Sequence, residues 1–418
     1  MDNAAKLYPA VRNSRWSANF RVAAVLKEKV DPVLLQQALD IVVARFVNFR
    51  VRLRRGLFWY YLEESAQKPR VEPDVANPCT RFDKGKNKDL FRVRYYERRV
   101  AVEIFHVLSD GTGGIIFLKT LLAEYCKLRD KKTVPCLYDV ADCTALPDPE
   151  EMEDAFKRFA KFKTLMGRRE NTAYHFEGEC APPGYISVIS GLMPVDVLIK
   201  KSKEHKVTLT EFLTGVMIFS LAKLQKASGA RVERPVKVSV PVNMRRFYKS
   251  KTMRNFSLYV NPGIEPRFGE FAFEEILEEV HHFMRMNLKE KYLNAMMCKN
   301  ISSEQNPVLR VVPLFIKNIA MTLAFKRYGD RLVSTTFSNL GQVKVPKEME
   351  EDIERFEFML GRFSTSIPNA AAVSFGNTLC LTWTSGMLQK DVEREFFTTL
   401  VKMGVPVRIE SNLNYDER

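Results

Sequence analysis

His106 is the residue of this chain whose type and setting most readily do chemistry. It opens the string His106-Val-Leu-Ser-Asp110-Gly111, which continues as Thr112-Gly113-Gly114. An imidazole titrates near neutrality and takes a proton from an alcohol, amine or thiol, which is the work of a general base. Val100, Val102, Ile104 and His106 share one face of an alternating apolar stretch, since successive side chains of a strand point to opposite sides. The spacing therefore predicts a histidine ending a strand, then a glycine-rich turn into which Asp110 folds back, then a helix over residues 115–128. The bland alternative is a core histidine followed by a turn and a helix cap, and the string by itself weighs the two about evenly.

Other chemistries have weaker claims. No G-x-S-x-G elbow, H-E-x-x-H pair, CxxC pair or phosphate-binding G-x-x-x-x-G-K-[ST] occurs. His281 and His282 fall in a Glu-rich helical pattern, where adjacent side chains point roughly 100° apart, so they do not read as a metal pair. His175 and His205 sit in polar stretches, and no metal is expected. The seven cysteines, at 79, 126, 136, 143, 180, 298 and 380, are odd in number and read as free thiols of a reducing compartment.

The elements that must position His106 mix strands and helices in both halves. A strand over residues 18–26 precedes a helix with Asp31 as N-cap and Pro32 at its first position, and Leu35, Leu39, Val42 and Phe46 mark the helix's apolar face. A hairpin is expected within residues 51–62 and two strands within 91–107. A helix is expected over 150–169, and Cys180-Ala-Pro-Pro-Gly184 punctuates the chain. The halves are accordingly placed at 1–175 and 176–418. In the second half, Thr208-Leu-Thr-Glu211 is a capping box opening an apolar helix to Lys226. Val236, Val238, Val240 and Val242 alternate as a strand, and a long amphipathic helix spans 271–297. Late strands at 332–338, 371–375 and 378–384 follow, the last two joined through Gly376-Asn377.

Composition bounds the rest. At 418 residues, 46% hydrophobic and 28% charged, the chain is a globular α/β protein of two domains rather than a disordered or low-complexity one. Its formal charge of +15 favours an anionic partner, whether nucleic acid, an acidic membrane or a phosphorylated cofactor. The basic runs, such as Arg50, Arg52, Arg54 and Arg55 or Arg92, Arg94, Arg98 and Arg99, accompany no nucleic-acid-binding motif and read mostly as solvated faces. Neither an export signal nor a membrane-spanning run is found, so a cytoplasmic protein is expected.

Residues 103–125 (EIFHVLSDGTGGIIFLKTLLAEY) resemble the HxxxDG motif and following helix of the CoA-dependent acyltransferase superfamily. That superfamily includes chloramphenicol acetyltransferase, condensation domains of peptide synthetases, plant BAHD enzymes and alcohol O-acetyltransferases. Residues 240–245 (VPVNMR), 255–266 (NFSLYVNPGIEP) and 337–342 (FSNLGQ) are similar, in order, to its strand ending in Arg, its FVN segment and its late LGQ segment. The resemblance implies two chloramphenicol acetyltransferase-like halves, each a mixed sheet flanked by helices, arranged in a V around a tunnel with His106 at its midpoint. It implies that His106 deprotonates the hydroxyl or amine of a small acceptor, which attacks the thioester of an acyl-CoA directly, acetyl-CoA first among donors, with no acyl-enzyme. Asp110 would be structural and paired with an arginine, for which Arg21, Arg45, Arg50 and Arg245 are candidates, and Gly111 would permit the tight turn. Ser338, Asn339, Thr384 and Ser385 are candidates for oxyanion or substrate contacts, and Arg245, Arg246 and Lys249 for the CoA phosphates. Two departures bear on the substrate: Phe105 replaces the first of the paired histidines usual in condensation domains, and no plant-type DFGWG segment is found. A carrier-protein-bound thioester remains the alternative donor, and a catalytically inactive binding or scaffold protein of the same fold and a nucleic-acid binder are the rival functions.

Overall fold

The computed structural model describes residues 1–12, 16–82, 89–160, 171–229, 232–305, 310–362 and 367–413. Its strands are β1 (Asn19–Leu26), β2 (Val51–Arg55), β3 (Tyr60–Glu64), β4 (Val71–Pro73), β5 (Phe91–Tyr96), β6 (Arg99–Phe105), β7 (Ser187–Pro194), β8 (Val236–Asn243), β9 (Ser257–Val260), β10 (Gly263–Ile264), β11 (Thr335–Gln342), β12 (Ile353–Leu360), β13 (Asn369–Phe375), β14 (Thr378–Ser385) and β15 (Arg408–Ser411). The helices that matter below are α1 (Tyr8–Val11), α2 (Pro32–Arg45), α3 (Gly111–Asp130), α4 (Leu209–Ala227), α5 (Phe273–Asn287), α6 (Leu314–Tyr328) and α7 (Asp391–Lys402).

Two mixed sheets organise these elements, as expected of an α/β chain with two halves. The first runs β12-β1-β6-β5-β4, and the second β10-β8-β11-β13-β14-β7-β15 with β9 beside β8. The division at 175/176 needs one correction, because β12 comes from the second half yet pairs antiparallel along the whole of β1. Phe356 and Phe358 on β12 thereby join the core of the first sheet, which the β1 edge would otherwise leave open to water. Phe20, Val22 and Ala24 of β1 and Val100, Val102 and Ile104 of β6 face α2 and α3 in that core. The second core lies between the other sheet and α4, α5 and α7, and a small third one gathers Phe156, Met244, Phe256 and Met297.

Local signals hold where they rest on capping. Asp31 accepts hydrogen bonds from the N–H groups of Val33 and Leu34, and Thr208 and Glu211 form the reciprocal capping box. The helix expected over 271–297 is two helices, α5 and Glu290–Gln305. Of the helix expected over 150–169, Pro149–Met152 is a 3-10 turn and Ala155–Phe159 is α-helical, while residues 161–170 lie outside the described ones. All seven cysteines are free thiols.

The basic runs do not all face water. The faces of β1, β5 and β6 turned away from α2 and α3 bury Arg21, Arg94 and Glu103. Arg21 grips both oxygens of Asp74 and lies 3.3 Å from Glu103, which also accepts the Cys79 N–H at 2.8 Å. Arg99 and Arg355 share Glu357, and Arg355 reaches Glu410 of β15 at 2.7 Å, so this ionic layer ties the two sheets together. Arg52 and Arg54 both sit on Glu63. A buried charge is tolerated only with such partners, which is why arginines in an apparent surface run turn inward here.

Close packing, rather than an unusual backbone, explains the glycines at the start of α3. A Cβ on Gly114 would stand 2.8 Å from the Phe20 ring and 3.0 Å from Ile104, and one on Gly113 would stand 2.0 Å from Ser109 Oγ and 2.7 Å from the Met253 carbonyl oxygen. None of the three glycines at 111, 113 and 114 has a positive φ, so the expectation that Gly111 serves a tight turn is corrected: its missing Cβ makes room for Leu340, 2.8 Å away. Gly113→Ala should therefore cost about 1–3 kcal/mol in urea unfolding, because the Met253 carbonyl it would strike is backbone and cannot swing aside.

Candidate active site

β6 ends at Phe105, and the His106 N–H donates to the Ala18 carbonyl, which carries the imidazole out of the sheet into the seam between the two sheets. Its Nδ1 lies 2.9 Å from Asn255 Oδ1. The Asn255 amide nitrogen donates to the His106 carbonyl at 2.9 Å and to the Asp2 carboxylate at 3.1 Å. Both of those partners are acceptors, so the amide orientation is settled and Oδ1 must face a donor; Nδ1 carries the proton and Nε2 the lone pair. No hydrogen-bonding partner meets Nε2 among the described residues. The Tyr8 ring stacks on the imidazole with centroids 4.8 Å apart and planes 16° apart, and Phe20 flanks it at 4.9 Å. Burial holds the imidazole's pKa below its ordinary value, offset in part by the Asn255 hydrogen bond and the nearby Asp110 carboxylate. Burial and the Nδ1 hydrogen bond together favour a neutral ring with its lone pair on Nε2.

Asp110 points elsewhere. Its Oδ1 accepts the Gly113 N–H at 3.1 Å as the N-cap of α3, and its Oδ2 accepts the Phe256 N–H at 2.9 Å and the Arg245 guanidinium at 2.8 Å. Of the four arginines considered as its partner, Arg245 is the one in contact; Arg21 pairs with Asp74 and Glu103, Arg45 with Glu151 and Arg50 with Glu64. The remaining nitrogens of Arg245 are spent on the carbonyls of Thr252 and Arg254, so its assignment to the CoA phosphates is corrected: this guanidinium is committed inside the protein. Ser109 adds a hydrogen bond to the Met253 carbonyl at 2.5 Å, and Asn243 one to Thr112 at 3.1 Å. Residues 243–256, following β8, therefore hold the whole HxxxDG turn from the opposite lobe.

The other candidates divide. Arg246 and Lys249 are exposed, and neither has an ion-pair partner among the described residues. Gly341, whose φ of +78° favours glycine, is the central residue of the LGQ segment and lies beside Arg246. Asn339 donates to Thr210 and accepts the Gly341 N–H, and with Ser338 it lies on the part-exposed end of β11 that brings Leu340 over Gly111. Thr384 and Ser385 are instead buried at the strand end, where Thr384 pairs with Asn369 and the Ser385 hydroxyl accepts the Met387 N–H. The expectation that these two line a substrate site is corrected, since they close the end of β14. Cys126, Asp130 and Asp352 lie close enough to share a cation, but Arg129 and Lys132 already bind both carboxylates. Sequence reasoning missed Asn255, Tyr8 and Asp2: Asn255 opens the FVN-like segment but lies 149 residues from the histidine, and nothing in the spacing marks the other two.

The fold is that of the CoA-dependent acyltransferases and condensation domains. The sequence model of the alcohol acetyltransferase family matches residues 189–367. Among solved structures, the first condensation domain of the calcium-dependent antibiotic synthetase is similar with a TM-score of 0.66 and 14% identity, over 96% of this chain and 95% of that one. Trichothecene 15-O-acetyltransferase from Fusarium sporotrichioides gives 0.61 and 10% over 96% and 93%. A variant of the starter condensation domain of rhizomide synthetase, in complex with C8-CoA, gives 0.57 and 13% over 94% and 90%. No curated protein matches the chain in sequence.

Two variants test the site's supports. Asp110→Ala leaves the Arg245 guanidinium buried without its counter-charge and should lower stability by about 3 kcal/mol in chemical unfolding. Asn255→Asp places a carboxylate against Nδ1 and should raise the pKa of His106 by about one unit or more, read by NMR titration of the imidazole.

Proposed function

We propose that this protein is an acyltransferase that moves an acyl group from a CoA thioester to a hydroxyl or amine, with His106 as general base and no acyl-enzyme. The observation that carries the reading is the tautomer of His106: Asn255 holds Nδ1–H, which leaves the lone pair on Nε2, for which no side-chain hydrogen-bond partner is found among the described residues. Nε2 takes the acceptor's proton as the acceptor oxygen or nitrogen attacks the thioester carbon. The tetrahedral oxyanion collapses, the C–S bond breaks, and the departing CoA thiolate regains that proton from Nε2–H. A preorganised donor for such an oxyanion is often worth about 3 kcal/mol, and Ser338 and Asn339 at the end of β11 are the residues assigned to it. Arg246 and Lys249 are assigned to the CoA phosphates, because both are exposed cations with no ion pair among the described residues and Arg246 lies beside Gly341 of β11. The C8-CoA bound by the rhizomide synthetase domain supports a CoA donor; the condensation-domain likeness leaves a carrier-bound thioester as the second reading.

Thiol release from acetyl-CoA or longer acyl-CoA, followed across a panel of alcohols and amines, tests the activity. His106→Ala should lose about 10²- to 10⁴-fold in kcat with an unchanged circular dichroism melt. A folded wild type that releases no thiol from any donor with any acceptor would refute the proposal. Arg246→Glu with Lys249→Glu should raise KM for acyl-CoA about tenfold and leave KM for the acceptor unchanged; equal effects on both would remove these residues from the CoA site.

A further inference from the structure

Helix α6 is apolar on the side that faces water. Phe315, Ile319 and Leu323 are 57%, 61% and 62% exposed, Ile316 lies beside them, and Ala320 and Ala324 complete the face. Three of its polar residues point the other way: Lys317 donates to the Phe58 and Arg310 carbonyls, Asn318 to the Tyr60 hydroxyl, and Thr322 to the Ala10 carbonyl. The patch continues onto the β2–β3 turn, where Leu57, 71% exposed, accepts the Leu314 N–H and Phe58 stands next to it. A contiguous apolar surface of this kind on a folded chain marks something it binds.

Charge selects the occupant. No acidic residue lies between Glu304 and Asp330, which enclose Arg310, Lys317, Lys326 and Arg327, or between Asp40 and Glu63, which enclose five arginines. Arg45, Arg50, Arg52 and Arg54 are paired with Glu151, Glu64 and Glu63, but Arg55 and Arg310 are exposed at the rim of the patch with no ion-pair partner among the described residues. A second copy would bring the same cationic rim to the contact, whereas an anionic bilayer complements both the apolar face and the rim. The apolar stretch Leu314–Phe325 is about 18 Å long, too short to cross a hydrocarbon layer of roughly 30 Å, so it would lie in the interface.

We propose that α6 and the β2–β3 turn form a docking surface for an anionic phospholipid membrane. The surface also leads to the candidate active site: Phe325 stacks on Trp16 at 4.8 Å, Trp16 meets Tyr8, and Tyr8 stacks on His106. If the acyl-transfer reading holds, membrane docking favours an acceptor or acyl chain that partitions into lipid; the docking itself does not depend on that reading.

Flotation of the full-length protein with vesicles of phosphatidylcholine, with and without about 30% phosphatidylserine, tests the proposal without any activity assay. Binding should require the anionic lipid and weaken as salt is raised to about 0.5 M. Phe315→Glu, Ile319→Glu and Leu323→Glu together should weaken it more than about tenfold with an unchanged melting profile, since these side chains are more than half exposed and belong to no core cluster. Arg55→Glu with Arg310→Glu should weaken it about fivefold or more per site. A wild type that fails to float with anionic vesicles, or a triple variant that floats as well as wild type, would overturn the proposal. So would a concentration-dependent dimer, seen by light scattering, that the triple variant abolishes while vesicles bind neither form.

Discussion

The contact on which the rest depends is the one between Asp110 and Arg245. A carboxylate from the turn after β6 and a guanidinium from the segment after β8 are both largely buried, and each would be costly without the other. Their remaining hydrogen-bonding capacity goes to backbone, the carboxylate to Gly113 and Phe256 and the guanidinium to Thr252 and Arg254. One ion pair therefore locks helix cap, turn and opposing loop in a single arrangement. His106 sits at the end of that arrangement, and Asn255 can fix its tautomer only because the same loop is already pinned.

The site trades one electrostatic term against another. Enclosure by Tyr8 and Phe20 favours a neutral imidazole, and a neutral imidazole is what a base needs. An asparagine as the Nδ1 partner, in place of a carboxylate, adds orientation without restoring much basicity. Asp2 stands behind that asparagine with its carboxyl pushed up to about 6 by burial, so the charge nearest the pair is itself weakly held.

The same chain uses its surplus of cations in three ways: inward, as pairs within the first sheet through Arg21 and Arg99 and between the sheets through Arg355; locally, as the Asp110 clamp; and outward, at Arg246 and Arg310, which have no ion pair among the described residues. A formal charge of +15 therefore says little about any one arginine. What distinguishes them is whether a carboxylate from another element meets them.

Much of the frame was legible in the amino-acid order, because capping and alternation are local. Asp31, the Thr208 capping box and the valine alternation of β8 each depend on residues a few positions apart and formed as read, whereas the glycines expected in a turn after Asp110 form the first turn of α3. The split of the helix expected over 271–297, the crossing of β12 to the first sheet and the inward arginines were not legible, since each depends on partners far away in the chain. The candidate site divides along the same line. Sequence by itself determined that a histidine would end a strand before a glycine-rich turn and a helix. Only the tertiary structure decided which arginine meets Asp110, that Asn255 orients the His106 ring and that Thr384 and Ser385 close a strand end, because hydrogen bonds and ion pairs are settled by distances in space that residue spacing does not encode.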